Sequence, residues 1–206
     1  MKTAEKVDLY REHAKEYAAS RKPALVRVGL ATYLSINGQG APGGDAFSKA
    51  IGALYGVAFT VKMTRKFGGK HDYVVSKLEG LWPDFSSGEI PPDKNQWNWQ
   101  MLIRTPKFVT KKEITKAVEV LLKRGKGIEV QRVQLESLEE GLCVQALHVG
   151  PYDKECETIT VMKSFAESEG LNLHGAHHEI YLSDPRRVAP AKLKTILRLP
   201  AKKAAA

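Results

Sequence analysis

Residues 30–38 read LATYLSING, and residues 142–150 read LCVQALHVG. Each is a run of strand-forming residues that ends in glycine just before a loop and an amphipathic helix. In the first, Leu30, Thr32, Leu34 and Ile36 alternate with Ala31, Tyr33, Ser35 and Asn37, the period-2 pattern of a strand with two faces. Around each run the same order of elements follows: strand, strand, helix, strand, strand. The two halves share little identity, so the repeat rests on element order. Two such units predict an α+β fold, an antiparallel sheet with helices on one side. Their junction predicts a ligand groove on the uncovered side.

Working outward, residues 4–19 have apolar positions at helical spacing (Leu9, Tyr10, His13, Ala14, Tyr17), which predicts an N-terminal helix closed by Arg21 to Pro23. Ala24 to Val28 is extended. Asp45 is the expected N-cap of a helix whose stripe (Phe47, Ala50, Ile51, Leu54, Tyr55, Ala58, Val61) runs to about Met63. Tyr73 to Leu81 reads as a strand, Asp84 to Asn95 as a polar loop, and Trp97 to Arg104 as a strand. Thr110-Lys111-Lys112-Glu113 has the capping-box pattern, and Gly125 is the expected left-handed stop of the helix it opens. Ile128 to Leu138 is expected to be extended. A helix from about Asp153 buries Ile159, Met162, Phe165 and Ala166 and closes at Gly170. His177 to Ser183 and Leu193 to Leu199 are strands, and residues 202–206 read as a frayed tail.

The stretch richest in chemistry is HHEIYLSDP, residues 177–185. On a strand, His177, Glu179, Tyr181 and Ser183 share one face, and His178, Ile180 and Leu182 share the other. Ile and Leu suit a helix-covered core, whereas a carboxylate and a phenol in register suit a lined cleft. A ligand site, a catalytic site and an ordinary surface ladder all fit this pattern. Trp97 and Trp99 fall on one face of their own strand, where core packing and an aromatic ligand wall are the two readings.

Composition excludes several classes. With 43% hydrophobic and 27% charged residues the chain is an ordinary globular one. No segment reaches the roughly 18 apolar residues of a membrane span, and MKTAEKVDLYREH has no apolar run of a secretory signal, so a cytoplasmic protein is expected. The net charge of +9 permits nucleic-acid binding, but the basic residues are scattered and no nucleic-acid-binding pattern surrounds them, which argues against that role. His174, His177 and His178 do not have metal-ligand spacing, so neither a metal nor a cofactor is expected. Cys143 and Cys156 read as small core residues rather than nucleophiles.

The chain resembles the GyrI-like small-molecule-binding family, the effector-binding domain of multidrug-sensing transcription activators, and most closely its stand-alone bacterial branch. The resemblance lies in LEGLW (residues 78–82), WNWQMLIRTP (97–106), EEGLCVQALHVGPY (139–152) and HHEIYLSDPRRVAPAKLKTILR (177–198). It implies one domain over residues 1–206 with two pseudo-twofold-related β-α-β-β modules of SHS2 type, at about 21–106 and 126–200. A linking helix would span 110–124. It also implies a groove carboxylate that meets aromatic or cationic ligands. By motif match that carboxylate is Glu179, with Tyr181 beside it and Trp97, Trp99 and Trp82 as the aromatic wall; His177, on the same face as Glu179, is expected to line the groove beside it.

Some stand-alone members hydrolyse the activated cyclopropane of DNA-alkylating natural products. For that reaction Glu179 is the expected general base toward water and Tyr181 the expected hydrogen-bond donor to the oxygen that gains charge. Three functions follow as expectations: a small-molecule binder or sensor, which would need a separate transcription factor as partner; a cyclopropane hydrolase; or a protein-interaction module such as a DNA gyrase inhibitor. Pro83 departs from the branch pattern, in which a second aromatic commonly follows the position of Trp82.

Overall fold

The computed structural model describes residues 6–83 and 93–204. Among them, the elements run α1 (Leu9–Glu12), β1 (Ala24–Val28), β2 (Ala31–Gln39), α2 (Asp45–Phe67), β3 (Leu78–Trp82), β4 (Asn98–Arg104), α3 (Lys111–Lys123), β5 (Gln134–Leu138), β6 (Gly141–Val149), α4 (Glu155–Ser168), β7 (Leu171–Leu173), β8 (His177–Tyr181) and β9 (Lys194–Lys203). The class is α+β, with antiparallel strand pairing, as the alternation predicts. Two compact units are assembled from interleaved segments. The first takes the described residues of Met1–His13, Ala31–Leu78 and Pro91–Leu138; the second takes those of Ala14–Leu30, Glu79–Ile90 and Glu139–Ala206.

In the first unit β2 lies between β4 and β5, with Leu34 opposite Ile103 on one side and Leu135 on the other. α2 packs on β2, and α3 packs on α2. Asp45 is the first helical residue rather than the cap, which is Gly44. Its carboxylate in the first turn suits the helix dipole and meets Lys49 at 2.7 Å. α2 outlasts its apolar stripe by four residues because two buried cations find partners. Lys62 pairs with Asp72 at 2.8 Å, and Arg65 pairs with Glu113 at 2.6 Å while lying 4.3 Å from the Phe108 ring centre. The capping box of Thr110 and Glu113 forms as predicted, and Gly125 takes φ 72° just past the helix end.

Several expected boundaries move. Only Leu9–Glu12 is helical in the N-terminal segment, and Tyr73 is bridged to Val7 ahead of a strand that begins at Leu78. Residues 128–132 form a 3-10 turn before β5. β9 runs on through Lys202 and Lys203 because β7, a strand the sequence pattern did not announce, pairs with it there. Most of the expected polar loop, residues 84–92, lies outside the described residues.

The second unit has the strand order β1, β6, β9, β8, β3, with β7 on β9. Its core joins Val144 and Ala146 of β6 and Leu197, Leu199 and Ala201 of β9 to Met162 and Ala166 of α4. Register fixes which side this is. Glu179 is opposite Leu197, and Leu197 is opposite Ala146. Within this unit the face bearing His177, Glu179 and Tyr181 is therefore the one α4 covers, not the uncovered one. Alternation separates two faces but does not say which of them receives the helix.

Candidate functional site

β8 is buried from His177 through Ile180. On the α4 side, Glu179 stands opposite Gly80 of β3, so no side chain occupies the place across from it. Trp82, two residues along β3, points to the same side. Its indole Nε1 donates to the Tyr181 hydroxyl at 3.0 Å. Tyr181 in turn hydrogen-bonds Glu179. Tyr152, exposed at 40%, sets its ring edge-on to Tyr181 with centroids 5.9 Å apart. His177 is fully buried, with Nδ1 3.9 Å from Glu179 Oε1. Thus Trp82, Tyr181, His177 and Glu179, four of the residues singled out above, do come together.

A fifth group was missed. Glu155, the first residue of α4, is 5% exposed, and its carboxyl hydrogen-bonds that of Glu179. The chain reaches this point through Gly150 at φ 151°, Pro151 and a 3-10 turn. His148 braces the turn: its Nε2 donates to the Pro151 carbonyl at 3.2 Å and its Nδ1 meets Thr158 Oγ1 at 2.9 Å. A signal existed in the sequence. Glu155 falls on the same helical stripe as Ile159, Met162 and Ala166, and a carboxylate in an apolar stripe is out of place unless it has a task.

Electrostatics separate these groups. Burial raises the Glu179 carboxyl to about 7, although hydrogen bonds from Tyr181, Glu155 and Trp82 oppose it. Burial raises Glu155 further, to about 10, and repulsion from Glu179 adds to the effect. Above about pH 7 the pair therefore holds one proton between its two carboxyls. Burial first, then the charge on His178, lowers His177 to about 3, so it is neutral. Burial raises the Tyr152 phenol to about 12, and Tyr181, with Glu179 adding to burial, lies well above the usual phenol range. Cys143 is buried, with its thiol raised to about 12, whereas Cys156 is exposed rather than in the core.

Trp97 and Trp99 belong to the first unit. The Trp99 ring lies across Gly38, its cross-strand partner, where a Cβ would stand 2.1 Å from Cη2. It also meets Phe47 edge-on at 5.3 Å and donates from Nε1 to the Gly40 carbonyl at 3.1 Å. Trp97 is half-buried, with the Lys94 ammonium 5.6 Å from its ring centre.

Residues 22–202 match the GyrI-like small molecule binding domain. Among solved structures, a hydrolase from Listeria innocua is 40% identical, with TM-score 0.86 over 96% of this chain and 100% of that one. An uncharacterized conserved protein from Listeria innocua is likewise 40% identical over the same shares, with TM-score 0.88. The C-terminal domain of EcmrR, 14% identical, shares the fold, with TM-score 0.58 over 88% of this chain and 98% of that one. No curated protein matches the chain.

Proposed function

The chain belongs to the GyrI-like small-molecule-binding family, and from that premise we propose that it binds aromatic, often cationic molecules beside Glu179 and opens activated cyclopropanes there with water. The observation that carries this reading is the pair of buried carboxyls, one raised to about 7 and the other to about 10, beside Tyr181. A lone binding carboxylate needs no such partner. A base that must take a proton near neutrality and give it back does. The likeness to a hydrolase of 40% identity supports the same reading.

In this mechanism Glu179 accepts a proton from water as the water oxygen bonds to a cyclopropane carbon. The ring C–C bond breaks, and its electron pair moves into the conjugated carbonyl. Tyr181, relieved of its hydrogen bond to the now protonated Glu179, donates to that oxygen, where negative charge develops. Glu179 then returns its proton to the product, so the net reaction is addition of one water. Glu155 keeps its proton throughout and donates to Glu179, and neutral His177 adds no charge beside it. Trp82 and Tyr152 supply aromatic surface for the ligand. Trp97, with the Lys94 ammonium 5.6 Å from its ring centre, and Trp99 are proposed as aromatic ligand surface of the first unit.

The test is incubation with a cyclopropane-bearing DNA alkylator and detection of product one water heavier. Glu179→Gln is expected to lower turnover about 100-fold or more while the circular dichroism spectrum stays unchanged. Full turnover by that variant would refute the base. Tight binding of a planar aromatic cation without any ring-opened product would leave a binding protein in place of the hydrolase.

A further inference from the structure

Behind Glu179, on the opposite face of the same sheet, lies a second cluster that the mechanism above does not use. His178 is completely buried. Its Nδ1 is 2.9 Å from Glu140 Oε1, and its Nε2 is 3.0 Å from Glu79 Oε2. The Nδ1 contact is a hydrogen bond, whereas Nε2 and Glu79 Oε2 are close without hydrogen-bond alignment, so the second carboxylate acts on the imidazole through its charge. Glu140 also receives Arg198 at 2.7 Å, and Arg198 donates to Gln145 and to the Glu16 carbonyl. The Tyr17 hydroxyl donates to Glu79 at 3.0 Å. Two cations and two anions are thus enclosed between β3, β8, β9, Glu140 and the segment around Tyr17. Such a set is expensive to bury and is not needed for the apolar core, which lies on the other face.

We propose that His178 is a positioning residue, a buried imidazolium that locks β8 from behind and supplies positive charge directly behind Glu179. This rests on the reading of Glu179 as base. Glu179 and His178 are consecutive on β8, so their side chains leave the strand on opposite faces while their backbones share a peptide. On the front, Glu179 is faced by Glu155 from α4, by Tyr181 and His177 of its own strand, by Trp82 of β3 and by Tyr152. None of these carries positive charge when His177 is neutral. The cation nearest in sequence and strand is therefore the one behind it. Glu140 and Glu79 hold that cation charged, and the arrangement keeps Glu179 ionised while Glu155 retains the proton. The influence is electrostatic as well as mechanical: the His178 charge draws the Glu179 proton affinity down against burial.

The experiment is a carbon-13 carboxyl NMR titration of glutamate-labelled protein, with Glu179 assigned by its loss in Glu179→Gln. In His178→Gln the Glu179 midpoint is expected to rise by about one pH unit or more. In Glu79→Gln, which removes an anion from the same cluster, it is expected to fall. The acidic limb of kcat/KM should follow both shifts. A packing role alone predicts no opposed pair, so midpoints that stay put or move in the same direction overturn the proposal. If His178→Gln does not fold, nitrogen-15 shifts of histidine-labelled wild type decide: a doubly protonated His178 at about pH 7 supports the proposal, and a neutral one overturns it. A wild-type Glu179 that titrates like a surface glutamate would remove the base of the preceding section, and opposed shifts would still establish the charge behind it.

Discussion

The carboxyl of Glu155, at the first residue of α4, and that of Glu179, on β8, are hydrogen-bonded neighbours on the helix-covered face of the second unit's sheet. Two like-charged groups in one buried place cannot both ionise cheaply. Above about pH 7 they share one proton. Two consequences of this pairing can be measured, and two further outcomes follow from contacts elsewhere.

Turnover should depend on pH through Glu179. Its carboxyl, raised by burial to about 7, is protonated below that pH and cannot accept a proton from water. The expected kcat/KM therefore climbs tenfold per pH unit on the acid side and levels above about 7. A flat profile from about pH 5 to 9 would contradict the assignment.

Glu155→Gln should stabilise the protein at alkaline pH while impairing turnover. The folded-state carboxyl is raised to about 10 from an ordinary 4.5. A carboxyl raised in this way favours the fold below its unfolded value, and the benefit is lost as pH rises toward the folded value. Denaturant midpoints of variant and wild type should lie together near about pH 4 and separate in favour of the variant by about pH 8. A variant less stable than wild type throughout would show that this carboxyl is structural.

The cluster behind β8 should define stability at both pH extremes. Contacts with Glu140 and Glu79 raise His178 to about 9 against burial, which pulls the other way. Its contribution is fully present below about 6.5 and is lost as pH rises through about 9. Glu140 is lowered to about 2: burial alone would raise it, and the His178 and Arg198 cations win. Its contribution is present above about 4.5 and is lost as pH falls through about 2. His178→Ala, which leaves buried carboxylates without their cation, should cost roughly 3–5 kcal/mol in urea unfolding at neutral pH.

Gly38→Ala should destabilise the first unit. The added methyl would stand 2.1 Å from the Trp99 ring, which Phe47 and the Gly40 carbonyl hold in place. Overpacking of this kind costs about 1–3 kcal/mol. A thermal midpoint equal to wild type would mean that the Trp99 ring swings away freely.

Much of this molecule was legible in advance where the signal is local. The capping box at Thr110 and Glu113, the left-handed stop at Gly125 and the strand that ends just before Gly150 were found from neighbouring residues, whereas β2 runs one residue past Gly38. Local signals failed where distant partners outweighed propensity. The N-terminal segment has helical spacing through Tyr17, yet only Leu9–Glu12 is helical. Beyond it residues 13–16 form turns, and from there the Tyr17 hydroxyl reaches Glu79 and the Glu16 and Ala18 carbonyls accept from Arg198 and Gln145. α2 likewise runs past its apolar stripe because Asp72 and Glu113 await Lys62 and Arg65.

By itself the sequence determined the α+β class, the order of its elements apart from β7 and the presence of Glu179 and Tyr181 on one side of a strand, because side-chain alternation and capping are properties of a few adjacent residues. Only the tertiary structure decided that α4 covers that side, that Glu155 meets Glu179 there, and that His178 is enclosed between Glu79 and Glu140. Those facts depend on strand register and on residues up to 100 positions apart, and charges become consequential only when such pairings remove them from water.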